Sequence, residues 1–237
     1  MAVLRITDLG LAPYQETWDL QKTIQQKLID EKVSVRKGTF EGERSDDVLL
    51  FVQHPHVYTL GKSGDVKNLL KTEDELASAN ASFVKIDRGG DITYHGPGQL
   101  VGYPILDLDR HFTDIHKYLR YLEEVIIRVC AEYGINAGRS EGATGVWVGH
   151  AKVCAMGIKC SRWVTMHGFA LNVSTQLDYF SNIIPCGISD KKVTSLSELL
   201  NRYVSLDEVK EKVIKNFADV FNVTIIQDDN IPHLQSE

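Results

Sequence analysis

Three β-like segments in the middle of the chain constrain the fold most strongly. They cover residues 145–148, 152–158 and 164–173. The short Gly149-His150 connection predicts that the first two segments pair as a hairpin. Segments of this kind form a sheet only if another layer covers their apolar residues, so the sequence requires helices packed against them.

The rest of the chain supplies those helices and further strands. An amphipathic pattern runs from a cap at Thr113 or Asp114 to a stop at Gly134. A first helix is predicted from Pro13 to about residue 31, a last helix over 206–221, and capping boxes begin at Thr72, Ser195 and Ser205. Additional strands are predicted at 3–6, on either side of Pro55 within 48–60, and at 83–86, 100–106 and 223–226.

No internal repeat or break in composition divides the chain. We therefore expect one mixed α/β (α+β) domain over residues 1–237, a mixed sheet with flanking helices, ending in a polar tail from about residue 227. The segment after Val193 is expected either to join this domain directly or to form a smaller lobe. At 237 residues the chain can bury a core without disulfide or metal staples.

Charge and cysteine content narrow the function classes. The net charge of −6 and the isoelectric point near 5.8 argue against general nucleic-acid binding. Four cysteines form no C-x-x-C pair, so no structural zinc site is expected. Without a run of about 18 apolar residues or a signal-peptide core, the expectation is a cytoplasmic protein with free thiols and no membrane span.

One glycine-rich loop lies between two predicted strands and reads RGGDITYHGPGQ over residues 88–99. Glycine lets the backbone approach a ligand closely, and a crowded loop of this kind positions substrates in many enzymes. The pattern is neither a Walker A loop nor G-x-G-x-x-G, so phosphate binding is not indicated. A purely structural double turn, with Arg88 in an ordinary ion pair, is the alternative.

Cys186 and Lys152 are candidates for nucleophilic chemistry. Cys186 lies between Pro185 and Gly187, where a thiol can be both rigid and exposed, although most free cysteines are buried and structural. Lys152 opens a β-like segment and either extends into solvent or, if buried near Cys186, lowers the pKa of the thiol. In the second arrangement the lysine could also protonate a leaving thiol and accept a proton from an attacking amine.

Small residues recur at Ala155, Gly157, Gly168 and Ala170, and neighbouring strands with such gaps could admit a narrow apolar chain. In a regular strand Lys152 and Ala155 face opposite sides, so one pocket can use both only if a bulge intervenes or the ligand crosses the backbone. His95 and His167 either orient a substrate or simply make hydrogen bonds in turns, and the histidine spacing follows no metal-ligand rule.

At this point the sequence resembles a known family, the lipoyl(octanoyl) transferases of lipoate biosynthesis. The resemblance begins in RGGDITYHGPGQLVGYPI and continues, in the family's order, through HPHVYTLGKSGDVKNLL, GVWVGHAKVCAMGIKCSRWVTMHGFALNV and FSNIIPCGISDKKVTSL. It extends over roughly residues 5–221 and implies the fold shared by biotin and lipoate protein ligases.

The resemblance also implies a reaction. An octanoyl group would pass from acyl carrier protein to a lysine of a lipoyl domain, through a thioester on Cys186 with Lys152 as acid and base. The lipoyl domains would be those of 2-oxoacid dehydrogenase complexes and the glycine cleavage H protein, and neither ATP nor another cofactor would be needed. The implied substrate-binding residues are Arg88, Gly89, Gly90, Asp91, Ile92, Thr93, Tyr94, His95, Ala155, Met156, Gly157, Gly168, Phe169 and Ala170, with His167 in a positioning role.

Two other functions remain open from the sequence. An ATP-dependent lipoate or biotin ligase of the same fold would activate a free acid and would not need Cys186 in its Pro-Cys-Gly turn. A non-catalytic module that only binds acyl carrier or lipoyl domains would need neither Cys186 nor Lys152.

Overall fold

A computed structural model describes residues 2–184 and 192–227 of the chain. Its strands are β1 (Ala2–Leu11), β2 (Asp47–Gln53), β3 (Val57–Leu60), β4 (Ser82–Lys85), β5 (Ile92–His95), β6 (Gln99–Ile105), β7 (Gly138–Ser140), β8 (Ala143–Val148), β9 (Ala151–Ser161), β10 (Val164–Asn172), β11 (Lys192–Val193) and β12 (Val223–Gln227). Within the described ranges, nine of these strands form one mixed sheet in the order β12-β1-β2-β6-β10-β9-β8-β7, with β11 paired to β9. A second sheet has the order β4-β3-β5.

Helices cover both faces of the main sheet. The described α-helices are α1 (Tyr14–Lys37), α2 (Glu73–Ser78), α3 (Ile115–Glu132), α4 (Leu196–Leu200) and α5 (Leu206–Phe221), of which α2 packs against β4 of the second sheet. Helices α3 and α5 pack with one face of the sheet in the larger core cluster, and α1 packs on the opposite face. Strand β2 is apolar at successive positions because both of its faces are covered. Leu49 and Phe51 face α3 and α5, while Leu50 faces α1.

The expected mixed α/β architecture is therefore confirmed, with local differences at the element ends. Helix α1 continues six residues beyond the predicted end, to Lys37, and stops where Gly38 takes a left-handed conformation. Pro13 is the N-cap of α1 and not its first helical residue. Thr72 forms the predicted capping box, whereas Ser205 accepts from the backbone of Asp207 and does not complete a box.

The His54-Pro55-His56 segment does not simply interrupt one strand. It separates β2, in the middle of the main sheet, from β3, which is the central strand of the small sheet. The proline therefore marks the point at which the chain leaves one sheet for the other, because it cannot donate a ladder hydrogen bond. Strand β5 then leads directly from the small sheet towards β6 of the main sheet.

The segment after Val193 does not form a lobe of its own. Helix α5 packs against α3, and β12 extends the edge of the main sheet by pairing in parallel with β1. The apolar face of α5, which includes Val213 and Phe217, lies in the same core cluster as Leu122 and Val129 of α3. In the described part of the chain, no helix is long and apolar enough to cross a bilayer.

Candidate active site

A cavity of about 460 Å³ lies over β9 and β10, between the main sheet and the 88–95 segment. Fifteen of the sequence-predicted site residues line it. They are Arg88, Gly89, Gly90, Asp91, Ile92, Thr93, His95, Lys152, Ala155, Met156, Gly157, His167, Gly168, Phe169 and Ala170. The cavity thus brings the 88–95 segment together with the paired strands β9 and β10, which follow much later in the sequence.

Two predicted residues are not among the described residues that line this cavity, for different reasons. Cys186 lies outside the described residues, which stop at Ile184 and resume at Lys192. Tyr94 is fully buried in the small-sheet cluster, where its hydroxyl lies 2.7 Å from His56 Nδ1 and its ring stacks on Tyr179. Thr93 and His95 beside it in β5 line the cavity, whereas the Tyr94 side chain packs in the core of the small sheet.

A β-bulge explains how Lys152 and Ala155 line one cavity. Across the β8–β9 pair, Val146 lies opposite Cys154 but Trp147 lies opposite Lys152, so β9 holds one additional residue at Val153. Val153 and Cys154 consequently both lie in the core on the α3 side, although they are consecutive. The extra residue reverses the strand alternation and resolves the conflict between Lys152 and Ala155 that a regular strand would create.

Lys152 is held on two sides at this bulge. Its carbonyl accepts a hydrogen bond from the Thr194 amide at 3.0 Å, and Val193 of β11 pairs with it in register. Its ammonium nitrogen lies 4.7 Å from the centre of the Trp147 ring. Lys192 and Val193, the first described residues after the 185–191 segment, also line the cavity.

The small residues of β9 and β10 serve two purposes. Ala155 and Ala170 are cross-strand partners and both line the cavity. A Cβ on Gly168 would lie 2.2 Å from the Gly102 carbonyl oxygen, and one on Gly157 would lie 3.0 Å from the Gly89 oxygen. The glycines therefore allow other backbone segments of the protein to approach, whereas the sequence predicted that the small residues leave room for a narrow apolar chain.

Arg88 anchors the glycine-rich loop to the small sheet. Its guanidinium is buried and donates to the carbonyl and hydroxyl oxygens of Thr59 at 2.9 and 3.1 Å, and to the Gly89 carbonyl at 3.0 Å. The Gly89 amide in turn donates to the Ile158 carbonyl of β9. Through these hydrogen bonds the loop is attached to the small sheet at Thr59 and to the main sheet at Ile158.

His95 continues this network beneath the cavity. Its Nδ1 lies 2.8 Å from Gln99 Oε1, and Gln99 Nε2 donates to Asn172 Oδ1 at 2.9 Å. Since Gln99 Oε1 can only accept, His95 Nδ1 carries the proton and Nε2 is the acceptor facing Thr59. Burial lowers the pKa of His95 to about 3, so the ring is neutral at physiological pH.

A second buried histidine lies nearby. His54 Nδ1 donates to the Ala12 carbonyl at 2.8 Å, and its Nε2 lies 2.9 Å from the Tyr103 hydroxyl. Tyr103 is hydrogen-bonded to Tyr14, and both tyrosines line the cavity. Burial lowers the pKa of His54 to about 4. Nothing in the local sequence pattern distinguishes Tyr14 and Tyr103 from core residues, so neither was predicted to line the site.

His167 lies at the cavity wall, six residue pairs along the sheet from the Lys152 end. It has a left-handed backbone (φ 61°), and its amide leaves the sheet to donate to the Gln21 side chain at 2.9 Å. Its Nε2 lies 2.9 Å from Asp87 Oδ1, while Lys159 bonds the other oxygen at 2.5 Å. The hydrogen bond from His167, followed by that from Lys159, holds the pKa of Asp87 far below its usual value.

This pairing fixes the tautomer of His167. Since Nε2 donates to the Asp87 carboxylate, Nδ1 is a bare acceptor, and among the described residues it has no hydrogen-bond partner. Burial lowers the pKa of His167, which opposes protonation of that nitrogen. No set of three His, Cys, Asp or Glu side chains within residues 2–184 and 192–227 is arranged to hold a metal ion.

Comparison with known proteins gives the class to which this fold and cavity belong. Residues 13–218 match the model of the lipoyl protein ligase A/B catalytic domain. The bipartite lipoate protein ligase of Thermoplasma acidophilum superposes with a TM-score of 0.71 at 16% identity, over 98% of this chain and 88% of that one. Biotin protein ligase from Aquifex aeolicus superposes with a TM-score of 0.53 at 15% identity, over 93% and 70% of the chains. The chain thus belongs to the lipoyl protein ligase A/B catalytic domain family and has the expected biotin/lipoate ligase fold.

Curated relatives define the branch of that family. The octanoyltransferase of Christiangramia forsetii is 56% identical over 94% of this chain and 97% of its own length. The octanoyltransferase of Cytophaga hutchinsonii is 53% identical, over 93% of each. This chain is a member of the octanoyltransferase family, an acyltransferase of protein lipoylation.

Proposed function

We propose that this enzyme moves an octanoyl group from the phosphopantetheine thioester of acyl carrier protein to a lysine of a lipoyl domain, through a thioester on Cys186. The accepted lipoyl domains are those of 2-oxoacid dehydrogenase complexes and the glycine cleavage H protein. The observation that carries the proposal is the β9 bulge, which places the Lys152 side chain in the same cavity wall as Ala155 and Ala170.

The first half-reaction transfers the acyl group to the enzyme. The Cys186 thiolate attacks the carrier thioester, a carbon–sulfur bond forms, and the bond to phosphopantetheine breaks. The Lys152 ammonium gives its proton to the departing thiolate and becomes a neutral amine. A nearby ammonium also favours the thiolate form of Cys186 before the attack.

The second half-reaction transfers the acyl group to the lipoyl domain. The neutral amine of the acceptor lysine attacks the octanoyl thioester, an amide forms, and Cys186 leaves as a thiolate. Lys152 accepts the proton that the new amide nitrogen loses and returns to its starting charge. Because a thioester is replaced by a more stable amide, no ATP is consumed and no cofactor is required.

Apolar walls match the proposed substrate. Val101, Met156, Phe169 and the two alanines present carbon atoms to the cavity, and each buried methylene of an acyl chain contributes about 0.8 kcal/mol. The buried polar side chains at the floor, such as His95 and Gln99, form hydrogen bonds with one another. An alkyl chain therefore does not have to break them when it binds.

The test is the mass of the enzyme after incubation with octanoyl acyl carrier protein. One octanoyl adduct on Cys186 is expected, with none in Cys186→Ala and an unchanged yield in the control Cys160→Ala, which removes a partly buried thiol outside the cavity wall. Lys152→Ala should raise the pKa for alkylation of Cys186, whereas Lys37→Ala, at the exposed end of α1, should not. An adduct on another residue, or turnover that requires ATP and free octanoate, would refute the proposal.

A further inference from the structure

A buried carboxylate lies behind the bulge that carries Lys152. Glu123 is on the buried face of α3, with no exposed surface, one helical turn after the cavity residue Leu119. Its Oε1 accepts the backbone N–H of Gly145 at 3.0 Å. Its Oε2 accepts from Arg120 at 2.8 Å and from Arg139 at 2.9 Å. Those arginines balance its charge, so it is not a buried unpaired ion.

Gly145 is the residue through which Glu123 contacts the bulge. It lies in β8 with φ 116°, a conformation that side chains rarely adopt. A Cβ at this position would lie 2.5 Å from the Cys154 carbonyl oxygen and 3.5 Å from Cε of Lys152. Because Gly145 has no side chain, the bulged part of β9 and the aliphatic part of Lys152 can pack directly against its backbone.

The hydrogen bond to Glu123 accounts for this unusual backbone. Register places Val146 opposite Cys154, and one step back Gly145 would face Ala155 in a regular ladder. The amide of Gly145 points instead into the core, where an unmet donor would be costly, and the Glu123 carboxylate satisfies it. The helix thereby holds β8 in the shape that the bulge requires.

We infer that Glu123 is a positioning residue for octanoyl transfer: by holding Gly145, it keeps the β9 bulge that aims Lys152 into the cavity. This inference rests on the proposed role of Lys152. Glu123 touches neither the substrate nor the reacting atoms, and its effect passes through the backbone of β8. A displacement of about 1 Å at a catalytic group can cost on the order of 100-fold in rate.

Two substitutions distinguish the effect of the length of the Glu123 side chain from the effect of its charge. Glu123→Asp keeps the negative charge beside Arg120 and Arg139 but shortens the side chain by one methylene, so Gly145 loses its acceptor. Glu123→Gln keeps an acceptor oxygen at full reach and removes the charge. Glu124→Ala is the matched control, because Glu124 lies on the same helix and its carboxylate binds Arg128 and Arg139, while the Gly145 amide donates to Glu123.

The measurement is the single-turnover rate at which octanoyl carrier acylates the enzyme, over a range of carrier concentrations. Glu123→Asp should lower the maximal rate by about 10- to 100-fold with little change in the half-saturating concentration, and Glu123→Gln should restore most of it. Glu124→Ala should match the wild type. In the Lys152→Ala background, Glu123→Asp should not lower the rate further, because Glu123 acts on the rate only by positioning the Lys152 side chain.

Three results would overturn the inference. They are a wild-type rate in Glu123→Asp, a rate in Glu123→Gln as low as in Glu123→Asp, and additive losses in the double variant. A wild-type rate in Lys152→Ala alone would instead refute the proposed acid and base role of that lysine. A rate lowered by Lys152→Ala but not by Glu123→Asp refutes only the positioning role.

Discussion

Acid should destabilise this protein through His54 and His95. Both side chains are buried and hydrogen-bonded as neutral rings, and burial lowers their pKa values from 6.5 to about 4 and about 3. At about pH 5 the folded protein therefore keeps both rings neutral, while the unfolded chain, with a histidine pKa of about 6.5, binds protons on both.

The direction and size of the change in the free energy of unfolding follow from proton linkage. A group whose pKa is lower in the folded state contributes its full stability above the unfolded value and loses it as the pH falls towards the folded value. At about 1.4 kcal/mol per pKa unit, acidification from about pH 7 to about pH 5 should remove about 2 kcal/mol for each histidine. The two together amount to about 4 kcal/mol, a large share of an ordinary domain's stability.

The assay is urea unfolding at both pH values, followed by circular dichroism. In His54→Asn the amide can still donate to the Ala12 carbonyl, but the titrating ring is gone. The free energy of unfolding should then fall by about 2 kcal/mol less on acidification than in the wild type. His150→Asn, which changes an exposed histidine in the β8–β9 turn, is the control and should behave as the wild type. An equal loss in the wild type and His54→Asn would refute the reasoning.

Three further outcomes can be measured on stability and specificity. Lys32→Met removes a buried cation that lies 2.7 Å from two aspartates, and should lower the free energy of unfolding in urea by about 3 kcal/mol. Lys22→Met removes one partner of an exposed ion pair and should lower it by less than about 1 kcal/mol. Gly168→Ala drives a methyl against β6 and should lower stability by about 1–3 kcal/mol, while Gly138→Ala, with no atom within 4 Å, should not; equal effects would contradict the close-approach argument. Ala170→Leu fills part of the cavity and should lower kcat/KM for octanoyl carriers more than for butanoyl carriers, and a uniform loss would place the acyl chain elsewhere.

Local patterns were sufficient to predict most elements of this fold. The apolar run of β2, the capping box at Thr72 and the amphipathic face of α3 each state a local preference that the packed structure also satisfies. Local patterns made the glycine-rich loop and Lys152 candidates, but each also had an ordinary structural interpretation, and only the resemblance to the octanoyltransferases favoured a role in the site. Element ends were less predictable, since α1 continues to Lys37 through contacts that its sequence does not reveal.

What the sequence could not predict depends on contacts between distant segments. The bulge at Val153 lies beside Gly145, which has a positive φ and whose amide donates to Glu123, a residue 22 positions earlier in the chain. In the helical pattern Glu123 is one more charged residue on an amphipathic helix. Its complete burial depends on the position of α3 against β8, so residue type alone could not distinguish Glu123 from the partly exposed Glu124 that follows it.

The polar network under the cavity suggests why the site needs so many buried hydrogen bonds. It runs from the glycine-rich loop to the strand beside Lys152 through side chains whose donors and acceptors satisfy one another, in the order Arg88, Thr59, His95, Gln99, Asn172 and the Thr194 carbonyl. The Thr194 amide then donates to the Lys152 carbonyl. Because a half-satisfied buried network is less stable than an apolar core, each member constrains the next. The loop and the Lys152 strand are thus fixed relative to each other before any substrate arrives, and substrate binding need not bear the cost of ordering them.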